Sequence, residues 1–339
     1  MSAKDDNPFH QWVRLEQPRL GTRVVFASDD FFADKSRLID PAEPVFIADR
    51  YDDNGKWMDG WESRRKREPG HDYCIVKLGV PGVIHGFDID TSHFTGNFPP
   101  HVSIDACVSR EEIPGDDAHW QELLPKVELE GDSHHLTPVD DGHAFTHLRL
   151  NIFPDGGIAR LRVYGEARPE RSETDGNEII DLLAIENGGR ALLCNNEHFG
   201  SMHNLNAPGQ GINMGDGWET ARRREPGNDW VILALGFPGS IEKVEIDTAY
   251  FKGNYPDRAA IQVARPTDAD LEDIEAASEN WPILLPESKL DMDRQHSFSA
   301  ELRATGVVSH VRLSIFPDGG VSRLRLYGRV AGDASTPAR

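Results

Sequence analysis

Asp59-Gly60-Trp61-Glu62-Ser63-Arg64-Arg65-Lys66-Arg67-Glu68-Pro69-Gly70 returns later in the chain as Asp216-Gly217-Trp218-Glu219-Thr220-Ala221-Arg222-Arg223-Arg224-Glu225-Pro226-Gly227. Each copy begins at a Gly-led turn, spends one Trp, two acids and a cluster of guanidinium groups, and runs into a strand-like apolar stretch. Between residues 59–99 and 216–256 more than half the aligned positions are identical, including Leu78-Gly79 with Leu235-Gly236, Ile89-Asp90-Thr91 with Ile246-Asp247-Thr248, and Gly96-Asn97 with Gly253-Asn254. The match extends in both directions. Ile152-Phe153-Pro154-Asp155-Gly156-Gly157 meets Ile315-Phe316-Pro317-Asp318-Gly319-Gly320. A period of roughly 160 residues is too long for a solenoid and indicates two whole domains from one duplication.

The first domain is expected over residues 10–167 and the second over 178–331. The polar run 168–177 reads as a linker, and the Gly, Ala, Ser and Pro-containing tail 332–339 as a frayed end. With 339 residues the chain has room for about two domains.

Strand patterns dominate. Tyr73-Cys74-Ile75-Val76-Lys77-Leu78 is a nearly continuous apolar run stopped by Gly, which suits a central strand. Leu148, Leu150 and Ile152 alternate with polar residues, and after Pro154-Asp155-Gly156-Gly157 the alternation resumes at Leu161 and Val163, which reads as a hairpin. That turn receives no chemistry. Only residues 268–279 read as a short helix, with Thr267 as N-cap. About eight strands in ~150 residues, joined by long polar loops, give an all-β chain of two tandem jelly-roll β-sandwiches.

Hydrophobic content of 38% and charged content of 27% are those of an ordinary globular protein. A net charge of −21 argues against nucleic acid and anionic membrane as partners, while the Arg clusters leave local positive potential for a small anion. The polar N-terminus lacks the apolar core of a signal peptide, and no apolar run is long enough to span a bilayer. The three cysteines, Cys74, Cys107 and Cys194, fit no zinc motif or disulfide framework, so reduced thiols in a cytoplasm are expected.

Taken together, Asp-Gly-Trp-Glu-(Ser/Thr)-x-Arg-(Lys/Arg)-Arg-Glu-Pro-Gly, Leu-Gly-x-Pro-Gly-x-Ile, Ile-Asp-Thr-x-x-Phe-x-Gly-Asn and Ile-Phe-Pro-Asp-Gly-Gly-(Ile/Val)-x-Arg-Leu-Arg closely resemble the allantoicase family over residues 12–331. The resemblance implies tandem sandwiches similar to galactose-binding or discoidin-like modules. It implies hydrolysis of allantoate to ureidoglycolate and urea in purine breakdown, and a homo-oligomer, often a hexamer. A non-catalytic jelly-roll ligand-binding protein and a hydrolase of a related ureido acid stay open as alternatives.

Allantoate is a carboxylate whose central carbon bears two ureido groups. Cleavage of one C–N bond needs a cation for the carboxylate, a proton for the departing urea and a base for water. Arg65, Arg67, Arg222 and Arg224 are the candidate carboxylate clamps. Glu62, Glu68, Glu219 and Glu225 are the candidate acid–base groups. Residues 65 and 67 would share a direction if the segment is extended. The loop around Asp30, matched by Glu197 beside His198, offers a second acid–base set. Asn97 and Asn254 read as turn holders that could also bond a ureido group. The residues require no cofactor. A divalent metal is left open but not indicated, because no His-x-His or His-Glu-x-x-His pattern occurs.

Overall fold

Gly79, Pro81 and Gly82 lie inside a strand, not at its end. In the computed structural model, which describes residues 7–170, 178–267 and 269–331, a single strand runs for 19 residues from Asp72 to Asp90. Its counterpart, Asp229–Asp247, is equally long. The expectation that Gly79 stops the run is therefore corrected, and the reason is local. An added Cβ at Gly79 would stand 1.9 Å from the Leu20 carbonyl oxygen, and one at Gly82 would stand 2.5 Å from Leu15 Cδ1. Glycine here admits close approach of a neighbouring segment while the backbone stays extended. The ladder skips residues 78–81, so Pro81 is not asked to donate, and its carbonyl accepts from the Arg168 amide at 2.6 Å.

At this bend the strand changes partners. Residues 72–77 lie between Arg23–Ala27 and Ala144–Phe153, and the layer continues through His101–Cys107 to Gln121–Glu128. Residues 82–90 lie between Arg160–Ala167 and His134–Pro138, with Val13–Arg14 outermost. One strand thus belongs to both layers of an antiparallel sandwich. The second domain repeats the pattern: Asp229–Asp247 pairs with Arg190–Cys194 and Val308–Phe316 in its first half, and with Arg323–Val330 and Gln295–Phe298 in its second. Each domain is an all-β sandwich of the jelly-roll kind.

Between the layers lies the apolar core. Leu148, Leu150 and Ile152 are fully buried, as are Leu161 and Val163 from the opposite layer. In the second domain Val311, Leu313 and Ile315 face Leu324 and Leu326 in the same way.

The expected hairpin is absent. Ala144–Phe153 and Arg160–Ala167 do not pair with each other; they flank successive halves of the long strand. Pro154 to Gly157 is a crossover between layers, and Gly157–Ile158 pairs with Trp61–Glu62 instead. Alternation on both sides of an Asp-Gly turn mimics a hairpin because each strand is packed on one face whichever neighbour it has.

The helix spans Leu271–Ser278 and is capped by Asp270, whose carboxylate accepts from the Asp273 amide at 2.9 Å. This replaces Thr267 as cap. Asp268 lies outside the described residues, as do residues 171–177 of the linker and the tail 332–339. Contacts divide the chain between Arg168 and Pro169. Among the described residues no helix is long and apolar enough to cross a membrane.

Candidate active site

In each domain the Trp of the duplicated motif anchors the site. Trp61 and Trp218 are wholly buried. Their indole N–H groups donate to the carbonyls of Asp29 and Asn196, 2.8 and 3.0 Å away. The Trp therefore fills the core and ties the motif to the preceding loop. The next residue turns outward: Glu62 and Glu219 are half-buried, with their backbones bonded to Ala33 and Gly200.

A buried arginine braces each motif from behind. Arg160 donates to the Asp59 carbonyl and carboxylate, both at 2.9 Å. Arg323 donates to the Asp216 carboxylate at 2.7 Å and also to its carbonyl. Sequence reading passed over this pair, since the arginines look like the outward half of an alternating strand.

The crossover turn completes the frame. Gly156 and Gly319 have φ of 141° and 136°, in the region that favours glycine. A Cβ at either would stand 2.6 Å from another backbone atom, Pro99 N or the Asn254 carbonyl oxygen. This close approach presses the turn against the Asn-aromatic-Pro loop. There the Asn97 and Asn254 carbonyls accept from Gly157 and Gly320, at 2.7 and 2.8 Å. With its backbone so fixed, each Asn aims its amide at the Glu. Asn97 Nδ2 is 2.8 Å from Glu62 Oε1, and Asn254 Nδ2 bonds Glu219 Oε1.

In the second domain these groups open onto a cleft of about 410 Å³. Glu219, Arg222, Asn254 and Phe199 line it, and Asp318 and Gly319 of the crossover turn form its edge. The turn assigned no chemistry is thus part of the cleft wall. Arg222 is exposed and has no hydrogen-bond or ion-pair partner among the described residues. Asp318 is engaged by the Arg223 amide at 2.9 Å, and Arg223 itself grips buried Asp229 at 2.7 Å. The alternating arginines thus differ: Arg223 secures the loop, while Arg222 lines the cleft.

Burial pushes the Glu62 carboxyl above the ordinary carboxylate range, and the Asn97 amide opposes that shift by favouring the charged form.

The other sequence candidates are placed differently. Arg65, Arg67, Arg224, Glu68 and Glu225 are exposed on the later half of the motif, which is not a strand, so the shared direction expected of residues 65 and 67 has no extended ladder to enforce it. Of the second-domain residues among them, neither Arg224 nor Glu225 lines the cleft. Asp30 is paired with Lys35 at 2.9 Å, and the Glu197 carboxylate accepts from the Met202 amide at 2.7 Å. His198 is exposed, is not among the residues that line the cleft, and stands edge-on to Phe199, with ring centroids 4.3 Å apart. His135 and His296 accept from the Glu130 and Asp291 amides, which gives these matched histidines a loop-holding role. Among the described residues no three His, Cys, Asp or Glu side chains converge as a metal site.

The family model described as "Allantoicase repeat" matches residues 13–168 and again 180–331. A probable allantoicase 2 of Burkholderia pseudomallei is 56% identical over 321 residues, which is 95% of this chain and 96% of the relative. A probable allantoicase of Photobacterium profundum is 56% identical, covering 94% of this chain and 97% of its own length. The crystal structure of allantoicase from Saccharomyces cerevisiae superposes with a TM-score of 0.78 at 37% identity, over 97% of this chain and 98% of that one.

Proposed function

The chain belongs to the allantoicase family, and from that membership we propose that it hydrolyses allantoate to (S)-ureidoglycolate and urea in the cleft of its second domain. The observation that carries the placement is that Glu219, Arg222 and Asn254 line one cleft, although the sequence separates Asn254 from the other two.

Arg222 pairs with the substrate carboxylate. A guanidinium offers two parallel N–H donors to a carboxylate, and Arg222 forms no ion pair with an acid among the described residues. Held in this way, the central carbon lies with one ureido group towards Glu219. Protonated Glu219 gives its proton to the ureido nitrogen as the C–N bond breaks, and the second ureido nitrogen supplies the electron pair that expels urea. The Glu219 carboxylate then takes a proton from the water that adds to the same carbon, and ureidoglycolate results. Asn254 positions the carboxylate for both transfers. His198, beside the lining residue Phe199, is the candidate second proton carrier. Each turnover consumes one water and releases one urea, with no change of oxidation state.

Urea release from allantoate tests the reading. Glu219→Gln keeps the size and the bond to Asn254 but removes the titratable proton, and kcat is expected to fall by 10²-fold or more. Turnover at the wild-type rate would overturn the assignment of Glu219.

Self-association belongs to the same proposal. Val45, Phe46, Ile47 and Tyr51 of the first domain are each more than two-fifths exposed, and a run of apolar surface of that kind suits contact with another copy. Light scattering on the intact chain distinguishes a hexamer from smaller species. A cytoplasmic location accords with three cysteines that form no disulfide.

A further inference from the structure

The first domain repeats many of the hydrogen bonds that frame the second domain's cleft. Phe32 and Phe199 each donate a backbone hydrogen bond to the carbonyl of the site glutamate, at 3.2 and 3.1 Å. Ser63 and Thr220 each bond the carbonyl of the crossover glycine at 3.1 Å. Lys66 and Arg223 each donate their amides to the crossover aspartate, at 2.7 and 2.9 Å, and grip a buried aspartate with their side chains at 2.7 Å. The Asn–Glu hydrogen bond is present in both.

Where substitutions occur, they spare the polar face. Arg65 stands where Arg222 stands, exposed and without a hydrogen-bond or ion-pair partner among the described residues. Its neighbour Arg64 shows that the loop does pair its cations when an acid is supplied: Arg64 Nε lies 2.7 Å from Asp29 Oδ2. In the second domain that pair is replaced by Ala221 and Asn196, joined by one bond in which the Ala221 amide donates to Asn196 Oδ1 at 2.8 Å. The duplication has therefore altered the flanking ion pair while leaving the Glu, Asn and unpaired Arg in place.

One wall differs. The connection before the motif is longer in the first domain and holds a hairpin, Tyr51–Asp52 with Gly55–Lys56. Asn54 Nδ2 donates to the Phe31 carbonyl at 2.8 Å, and a Cβ at Gly55 would lie 3.8 Å from the Phe32 ring. The hairpin thus backs Phe32, which is half-buried, whereas Phe199 is 63% exposed.

We propose that the first domain carries a second binding site for the same ligand chemistry, a carboxylate with an adjacent ureido group, in which Arg65 takes the carboxylate and Glu62 with Asn97 takes the ureido group. Each chain then holds two ligands, in sites that differ in the exposure of their aromatic wall. The ligand class rests on the reading given above for Glu219 and Arg222; the existence of the site rests on the duplicated geometry.

Isothermal titration with ureidoacetate tests this. The probe has one carboxylate and one ureido group, and no second ureido group to expel, so it binds without being consumed. Two equivalents per wild-type chain are expected, falling to one in Arg65→Ala, to one in Arg222→Ala, and to none in the double variant. Both arginines are exposed, and unchanged melting temperatures verify folding. A single equivalent abolished by Arg222→Ala and untouched by Arg65→Ala overturns the second site. No binding at all overturns the ligand class in both domains. A single equivalent abolished only by Arg65→Ala leaves the first-domain site standing and removes the placement of the reaction in the second domain.

Discussion

Asn97 places its side-chain amide 2.8 Å from the Glu62 carboxylate across 35 residues of chain, and Asn254 does the same to Glu219. A carboxylate at a half-buried position gains most from a donor that cannot itself ionise. The amide fixes which oxygen is engaged and leaves the other for chemistry. Asn254→Ala is therefore expected to lower kcat about tenfold or more, ~1.4 kcal/mol, with KM changed less. Steady-state urea release decides it. An unchanged kcat would leave the amide a turn holder only.

Arg222→Ala should act on KM first, raising it at least tenfold, about 1.4 kcal/mol, because the carboxylate is bound in ground and transition states alike. Arg222→Lys should recover part of this, since a point charge replaces the charge but not the fork. Arg65→Ala, measured beside it for urea release, is expected to have a smaller effect on turnover.

Burial holds the His310 imidazole down to about 4, and its Nδ1 lies 2.9 Å from Ser309 Oγ. His147 is lowered as well, by burial and then by Lys77. A depressed histidine is neutral when folded and takes a proton when unfolded. Its contribution is fully present above the ordinary value near 6.5, shrinks as pH falls below it, and is gone by the folded value near 4. For His310 the swing amounts to at most ~3 kcal/mol. Denaturant melts at pH 7 and pH 5 should show wild type losing more stability than His310→Asn over that window.

Glu62 has the opposite sign. Its folded carboxyl lies above the ordinary range, so ionising it works against the fold; the stability is full below the ordinary value, and is lost as pH rises past it through the folded value. Glu62→Gln should leave stability unchanged in acid and raise the melting temperature slightly at neutral pH. A lower melting temperature at pH 7 would refute the assignment of burial as the cause.

Arg323 is 3% exposed and holds Asp216 at the head of the second motif. Removing one partner leaves a poorly solvated charge, so Arg323→Met should cost ~3–5 kcal/mol. Denaturant titration checks the magnitude.

Much of this was written in the chain as text. The duplication, the strands around Tyr73 and Leu148, and the Glu and Arg of the cleft all follow from residue type and spacing. What escaped were relationships that no single segment displays. Gly79 looks like a terminator until Leu20 is seen lying against it. Asp155 and Asp318 look like hairpin turns because alternation records burial and not the identity of the neighbouring strand. Arg160 and Arg323 read as outward residues because their partners, Asp59 and Asp216, lie about a hundred residues away. Phe199 entered the cleft wall through the backbone bond that its amide makes to Glu219, which nothing in its own segment announces.

The 19-residue strands have a mechanical consequence. Because one unbroken backbone is stitched into both layers, a domain cannot shed a layer by peeling at its edges. Force applied at its ends reaches both sheets through the same peptide bonds. Single-molecule extension should therefore yield one abrupt rupture per domain, with the glycine bend as the hinge about which the last ladder tears.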